Sequence, residues 1–255
     1  MEMNLDRMDA SSFSGIFFDF DGTLRHNHPP ALEVFYRFAS ELGFAVDLEL
    51  QRRGERWVNE YWADSDELKE DIERFGEWRD NGEFWTNHAR RHLLKLGLPD
   101  DQAEALAPEI TLRMRAEYEP VDCMEEDVLP TFDTLRGAGL AVAIVSNRSE
   151  PFHDRVLELG LTEHVDLILA AGEVGWYKPD PRILQHAAGL LKQEPQRVIY
   201  VGDNFHADIL GARAAGMTPA LYDPRDLYPE MDCARIHAVS ELVTWIDGRV
   251  LSGAK

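Results

Sequence analysis

Cysteine is scarce in this chain, with two residues, Cys123 and Cys233, among 255. They form no CxxC pair and no histidine cluster at zinc spacing accompanies them, so neither a disulfide framework nor a cysteine–histidine zinc cluster organises the fold. Two free thiols in a reduced, cytoplasmic protein fit this usage best, with a single disulfide as the alternative. Positive charge is also in short supply. Lys and Arg number 26 against 47 Asp and Glu, a formal net charge of −21. Phosphate backbones and anionic membrane surfaces are held mainly by clustered cations, so neither nucleic acid nor a membrane is an expected partner, and the acidity serves solubility. Long apolar runs are missing too. The longest, Leu140–Val145, suits a buried strand and is far too short to cross a bilayer. Met1–Ser14 carries Asp and Glu and has no apolar stretch, so it is not expected to be a secretory signal. There is no internal repeat.

What is present is an ordinary globular composition, 44% hydrophobic and 29% charged, in a chain long enough to bury a large core without a disulfide or metal staple. Four short apolar runs read as fully buried strands: Gly15–Phe20, Leu140–Ser146, Val165–Ala170 and Arg197–Val201. Thr218–Tyr222 is a weaker fifth. Helical patterns lie between the later ones, at Pro151–Leu159, Pro181–Leu191 and His206–Ala215. Strands apolar on both faces and alternating with helices predict a doubly wound, Rossmann-like α/β core with a parallel sheet.

The long gap between the first strand and the second is unlike a simple crossover. Its apolar residues recur at helical spacing. Leu32, Phe35, Tyr36 and Ala39, continued by Leu42, mark one helix. Trp57, Tyr61 and Trp62 mark a second, Phe84, Trp85, His88 and His92 a third, and Leu106, Ile110 and Met114 a fourth. The reading is an all-helical domain over residues 27–124, inserted into a core formed by 1–26 and 125–255.

Chemistry gathers at the strand ends, where ligands sit in doubly wound sheets. The first strand ends in Asp19-Phe20-Asp21-Gly22-Thr23-Leu24. Two carboxylates at i and i+2 can serve one reaction, one attacking and the other, kept protonated, donating a proton to the leaving oxygen. An isolated Asp-Gly would read as a turn; the six-residue string at the end of a buried strand does not. The second strand ends in Ser146-Asn147, whose small polar groups and following N–H groups suit a phosphate oxygen, although from these two residues alone a helix-capping turn is the stronger reading. Lys178, in Gly175-Trp176-Tyr177-Lys178-Pro179-Asp180-Pro181, could balance carboxylates and phosphate, or be a surface lysine. The fourth strand ends in Gly202-Asp203-Asn204, and Asp208 follows. Mg²⁺ takes hard oxygen ligands, with Asp19 and Asp203 the direct candidates. Asp208 reads as a direct ligand, a water-mediated one, or the partner of Lys178. Gly211-Ala212-Arg213-Ala214-Ala215-Gly216 reads as close packing on the sheet.

Together these four stretches resemble the motifs of the haloacid dehalogenase (HAD) superfamily, in order and spacing, over about 14–25 and 126–222. The insert is similar in placement to the C1 cap of that superfamily. The resemblance implies Mg²⁺-dependent hydrolysis of a small phosphomonoester. Asp19 would be the nucleophile that forms an aspartyl-phosphate, and Asp21 the general acid/base. Thr23, Ser146, Asn147 and Lys178 would bind phosphate, with Ser146 and Lys178 also counted as catalytic. The metal would rest on Asp19, the Asp21 backbone carbonyl, Asp203 and Asp208. A phosphomutase is the runner-up. A 2-haloacid dehalogenase is disfavoured because Asp21 is present, and a non-catalytic binding protein because Asp19, Asp21, Lys178 and Asp203 all are. The expected partner is a small phosphorylated metabolite, with sugar phosphates, phosphoglycolate and nucleoside monophosphates all open, and the expected assembly a monomer or homodimer. In the insert, Arg52, Arg53 and Arg56 with Trp57, Tyr61 and Trp62 read as a solvated basic face over an aromatic core stripe in preference to a substrate wall. His26 and His28 line the site or form a hinge, and Trp176 touches substrate or packs under its loop.

Overall fold

A computed structural model describes residues 13–244; the stretch before Phe13, on which most of the signal-peptide reading falls, lies outside the described residues. The chain divides into two compact units, one formed by residues 1–26 and 123–255 and the other by 27–122.

In chain order, β1 (Gly15–Phe18) and β2 (His26–His28) precede five helices: α1 (Ala31–Glu41), α2 (Leu48–Tyr61), α3 (Asp66–Phe75), α4 (Gly82–Lys95) and α5 (Asp100–Glu117). β3 (Val121–Cys123), α6 (Val128–Gly137), β4 (Ala141–Ser146), α7 (His153–Glu158), β5 (Leu167–Ala170), α8 (Ala171–Val174) and α9 (Pro181–Leu190) follow. The described chain closes with β6 (Val198–Gly202), a π-helical turn at Phe205–Ile209, α10 (Leu210–Ala215), β7 (Thr218–Tyr222) and β8 (Ala234–Ile236).

The larger unit is built on a six-stranded sheet of order β5-β4-β1-β6-β7-β8, in which every pairing is parallel. Alternation along each strand divides its apolar side chains between two clusters. Phe18, Val142, Ile144, Ile199 and Val201 join Phe132 of α6 and Val156 of α7 on one side. Phe17, Ala143, Val145 and Tyr200 join Ile183 and Leu184 of α9 and Ala212 of α10 on the other. With both faces covered, the strands read as near-continuous hydrophobic runs, which is why they were visible in the sequence. The expected helix at His206–Ala215 begins instead as the π turn. Asn204 caps it by accepting from the N–H groups of His206 and Ala207 (2.9 Å each), and Asp208 Oδ2 accepts from Asn204 N at 2.9 Å.

Strands β2 and β3 pair as a separate two-stranded sheet. They were not expected from sequence, nor were α6, β8 and α3. The start of α3 carries a signal: Ser65 caps Leu68 N, and Asp66 and Glu67 sit in the first turn.

In the helical unit, Trp57 and Tyr61 are buried with Phe84 in one cluster, and Trp62 packs against it, while Arg52, Arg53 and Arg56 are exposed. This is the aromatic stripe under a basic face. His88 and His92 lie inside, against Trp57, Tyr61 and Phe35. Burial lowers the pKa of His88 to about 4 and that of His92 to about 3. Both are neutral when folded. Above the ordinary value of 6.5 the unfolded chain leaves them neutral as well. Below it, the unfolded chain takes up protons that the folded chain refuses, so stability falls as pH falls. Urea unfolding followed by tryptophan fluorescence should therefore show a midpoint that drops between about pH 6.5 and 5, with a shallower drop in the His88→Gln/His92→Gln variant. Equal slopes in the two proteins would refute the assignment.

Candidate active site

The site lies at the carboxyl ends of β1, β4 and β6, within the larger unit. β1 ends at Phe18, and Asp19 N continues the ladder by donating to Val201 O at 2.8 Å, which fixes the direction of the Asp19 side chain. The next turn is closed by Gly22 N donating to Arg25 O and by Leu24 N and Arg25 N donating to Phe20 O. Gly22 has φ +92°, and a Cβ there would come within 2.4 Å of an Asp203 carboxylate oxygen. No other residue type meets both conditions without displacing Asp203.

Lys178 is the centre of the cluster. It is 1% exposed, and its Nζ donates to Asp19 Oδ1 (2.6 Å), Asp208 Oδ1 (2.7 Å) and Tyr200 Oη (2.8 Å). Three ammonium protons therefore meet three acceptors. Tyr200 passes its own proton to Val145 O at 2.9 Å. Burial alone would lower the Lys178 pKa; the charges of Asp19 and Asp208 outweigh it and hold the ammonium well above its usual range. Burial pushes Asp19 upward, Lys178 opposes, and Asp208 and Asp21 add to the rise. Asp203 is also pushed well up, by burial first and then by Asp19 and Asp208.

That electrostatic stress suits a divalent cation. One oxygen from each of Asp19, Asp203 and Asp208 lies within 4.8 Å of the others, a hard all-carboxylate set of the kind Mg²⁺ accepts. Both oxygens of Asp208 already have partners, Lys178 through Oδ1 and Asn204 N through Oδ2. Of the three roles open for Asp208, the structure displays the contact with Lys178. A Cβ on Gly202 would come within 2.3 Å of the Asp208 carboxyl, so the glycine is what admits Asp208 to this position.

Thr23 and Asn147 were both expected at the phosphate. Thr23 is fully buried, donating to Asp203 Oδ1 and accepting from Asp203 N, both at 3.0 Å. Asn147 is bonded reciprocally to the Lys178 backbone, Nδ2 to Lys178 O at 2.8 Å and Lys178 N to Oδ1 at 2.7 Å. Each holds another site residue in place. Ser146 closes β4 and is 2% exposed. Trp176 packs against the sheet cluster, with His186 at its edge and Arg182 over its ring. His26 is half-buried, 6.1 Å from the Tyr222 ring, and His28 is exposed.

Sequence reasoning passed over Tyr200, which was read as strand, and Arg148. The Arg148 guanidinium grips both oxygens of Asp21, Nε to Oδ2 and Nη2 to Oδ1, each at 2.7 Å. Arg25 reaches Asp21 Oδ1 at 3.3 Å. Both cysteines are free.

A family model described as haloacid dehalogenase-like hydrolase matches residues 13–216. The chain is 29% identical over 199 residues to haloacid dehalogenase-like hydrolase domain-containing protein 3 of Bos taurus, covering 77% of this chain and 76% of that protein. It is 28% identical over 222 residues to ribulose-1,5-bisphosphate 5-phosphatase of Halopiger xanaduensis, covering 84% and 86%. Among solved structures, a HAD phosphatase from Thermococcus onnurineus superposes with a TM-score of 0.53 at 24% identity, over 92% of this chain and 99% of that one. That likeness is one of fold.

If Lys178 neutralises two buried carboxylates, Lys178→Met should destabilise the protein by about 3–5 kcal/mol at neutral pH in the presence of chelator, because an unpaired buried charge is left behind. The double variant Lys178→Met/Asp208→Asn should recover part of that loss. Urea unfolding checks it, and no recovery in the double variant would count against a shared charge balance.

Proposed function

The chain belongs to the haloacid dehalogenase-like hydrolases, and from that premise we propose that it is a Mg²⁺-dependent phosphatase acting on a small phosphomonoester through an aspartyl-phosphate on Asp19. The observation that carries this reading is the convergence of Asp19, Lys178, Asp208 and Asp203 at adjoining strand ends, with Asp21 two residues from the nucleophile. The relative named for ribulose-1,5-bisphosphate hydrolysis supports a phosphorylated metabolite as substrate.

In this mechanism an Asp19 carboxylate oxygen attacks phosphorus and the bond from phosphorus to the alcohol oxygen breaks. Asp21 gives its proton to the departing oxygen, which leaves as the alcohol. A water then attacks the phosphorus of the aspartyl-phosphate while Asp21 takes up a proton from it. The bond from phosphorus to Asp19 breaks, inorganic phosphate leaves, and the carboxylate is restored. Lys178 keeps Asp19 oriented and offsets charge on the phosphoryl oxygens. Ser146, at the end of the neighbouring strand, offers a hydroxyl to the same group. Asp19 and Asp203, with Asp208 directly or through water, would hold Mg²⁺, which supplies positive charge to bring a phosphate dianion among carboxylates. Residues 27–122 are read as the cap, which would select the alcohol and limit bulk water.

The presence of Asp21 favours phosphoester chemistry over dehalogenation, since a departing halide needs no proton. A phosphomutase would use the same first half-reaction and differ in returning the phosphoryl group to substrate.

Phosphate release from a panel of phosphomonoesters, with and without Mg²⁺, tests the reading. Release should require Mg²⁺ and should fall by at least about 1,000-fold in Asp19→Asn, on the scale of removing a nucleophile. Asp21→Asn should slow the best alkyl phosphate of the panel far more than p-nitrophenyl phosphate, whose leaving group needs little protonation. Metal-independent release, or an active Asp19→Asn protein, would sink the proposal.

A further inference from the structure

Asp21 raises a difficulty that the fold does not remove. A general acid/base needs an oxygen facing the leaving group. Here both oxygens of Asp21 are taken by the Arg148 fork at 2.7 Å, with Arg25 beside it. Charge-assisted, two-point pairing of this kind is among the stronger polar contacts in proteins.

Arg148 is well placed to do more than pair. It follows Ser146-Asn147 directly at the end of β4. Arg148 O accepts from Gly172 N at 3.0 Å, and a Cβ on Gly172 would come within 1.8 Å of Ser149 O, so this loop has one close-fitted path. The guanidinium carbon sits 5.2 Å from the Phe20 ring centre and 5.5 Å from that of Phe152. The backbone and the two rings thus anchor the residue. The side chain nevertheless keeps 29% of its surface exposed, and that of Asp21 keeps 38%. The pair is partly open to solvent, beside the Ser146-Asn147 end of β4. An arginine fork that fits one carboxylate fits another, or a phosphate, equally well.

We propose that Arg148 is a specificity-determining and positioning residue, a latch on Asp21 that a second anionic group on the substrate draws away. The inference rests on the phosphatase reading and names a substrate class within it: phosphomonoesters whose alcohol carries a carboxylate or a second phosphate. When such a substrate places its phosphoryl group by Asp19, its other anion takes over the Arg148 fork. Asp21 is then free to face the leaving oxygen. A phosphate ester of a neutral alcohol leaves the latch shut and is turned over slowly. The enzyme would thereby couple recognition of the alcohol to assembly of its acid/base.

The test compares phosphate esters built on the same two-carbon frame. 2-Phosphoglycolate carries a carboxylate, ethylene glycol bisphosphate a second phosphate, and 2-hydroxyethyl phosphate a neutral hydroxyl. The wild type should prefer one or both anionic members. In Arg148→Ala, KM for the preferred anionic substrate should rise about 10- to 100-fold, the scale of losing a charge-assisted pair. In the same variant, kcat on 2-hydroxyethyl phosphate should rise, because Asp21 is no longer held. Arg148→Lys keeps the charge without the fork and should recover only part of the KM. Whichever anionic substrate shows the KM effect identifies the anion the fork takes. If Arg148→Ala changed all three substrates by one common factor, Arg148 would be structural and the proposal wrong. A fall in kcat on 2-hydroxyethyl phosphate would also overturn it. If the wild type released no phosphate from any panel member, the phosphatase reading would fail and this proposal with it.

Discussion

The buried ammonium of Lys178 is the interaction on which the rest of the site depends. A carboxylate as enclosed as Asp19 is costly, and a second enclosed carboxylate at Asp208 makes it costlier. One cation bonded to both, with a tyrosine hydroxyl for its third proton, makes the arrangement tolerable. The rest follows from holding that cation still. Asn147 clasps the Lys178 backbone from the end of β4, Tyr200 rises from β6, and Asp208 is delivered by the π turn behind β6.

Close approach is the second constraint. Gly22 and Gly202 stand where any side chain would collide with Asp203 or Asp208. Thr23, fully buried, holds Asp203 by two hydrogen bonds. The Asp19–Leu24 string at the end of β1 therefore carries chemistry at its aspartates and geometry at its glycine and threonine, and the two cannot be altered independently.

Much of this was legible because parallel strands covered on both faces appear as short apolar runs, and residues just beyond them fall at one edge of the sheet. Asp19 and Asp203 could be placed at that edge on this basis, while Lys178 and Asp208, for which the residues alone left alternatives open, joined them through the resemblance of the four stretches taken together; the Rossmann-like core was legible from the strands and helices themselves. The bracing of Asp203 by Thr23 and of the Lys178 backbone by Asn147 was not legible, since a polar residue beside a phosphate site and one that braces its neighbours look alike. Arg148 was invisible for another reason. Its partner lies 127 positions away, and no periodicity links a loop arginine to a loop aspartate. Helix α3 was missed because its apolar residues are few, although its capping serine and acidic first turn were there to read. β8, three residues long, has no pattern to detect.

The central claim is that Asp19 itself carries the phosphoryl group. Rapid acid quench of the enzyme during turnover, followed by peptic digestion and mass spectrometry, tests it most directly. The account predicts that the peptide containing Asp19 gains the mass of one phosphoryl group, and that this adduct disappears when substrate is exhausted. Steady phosphate release with no adduct on that peptide at any quench time, or an adduct on another residue that forms and decays at the turnover rate, would contradict it.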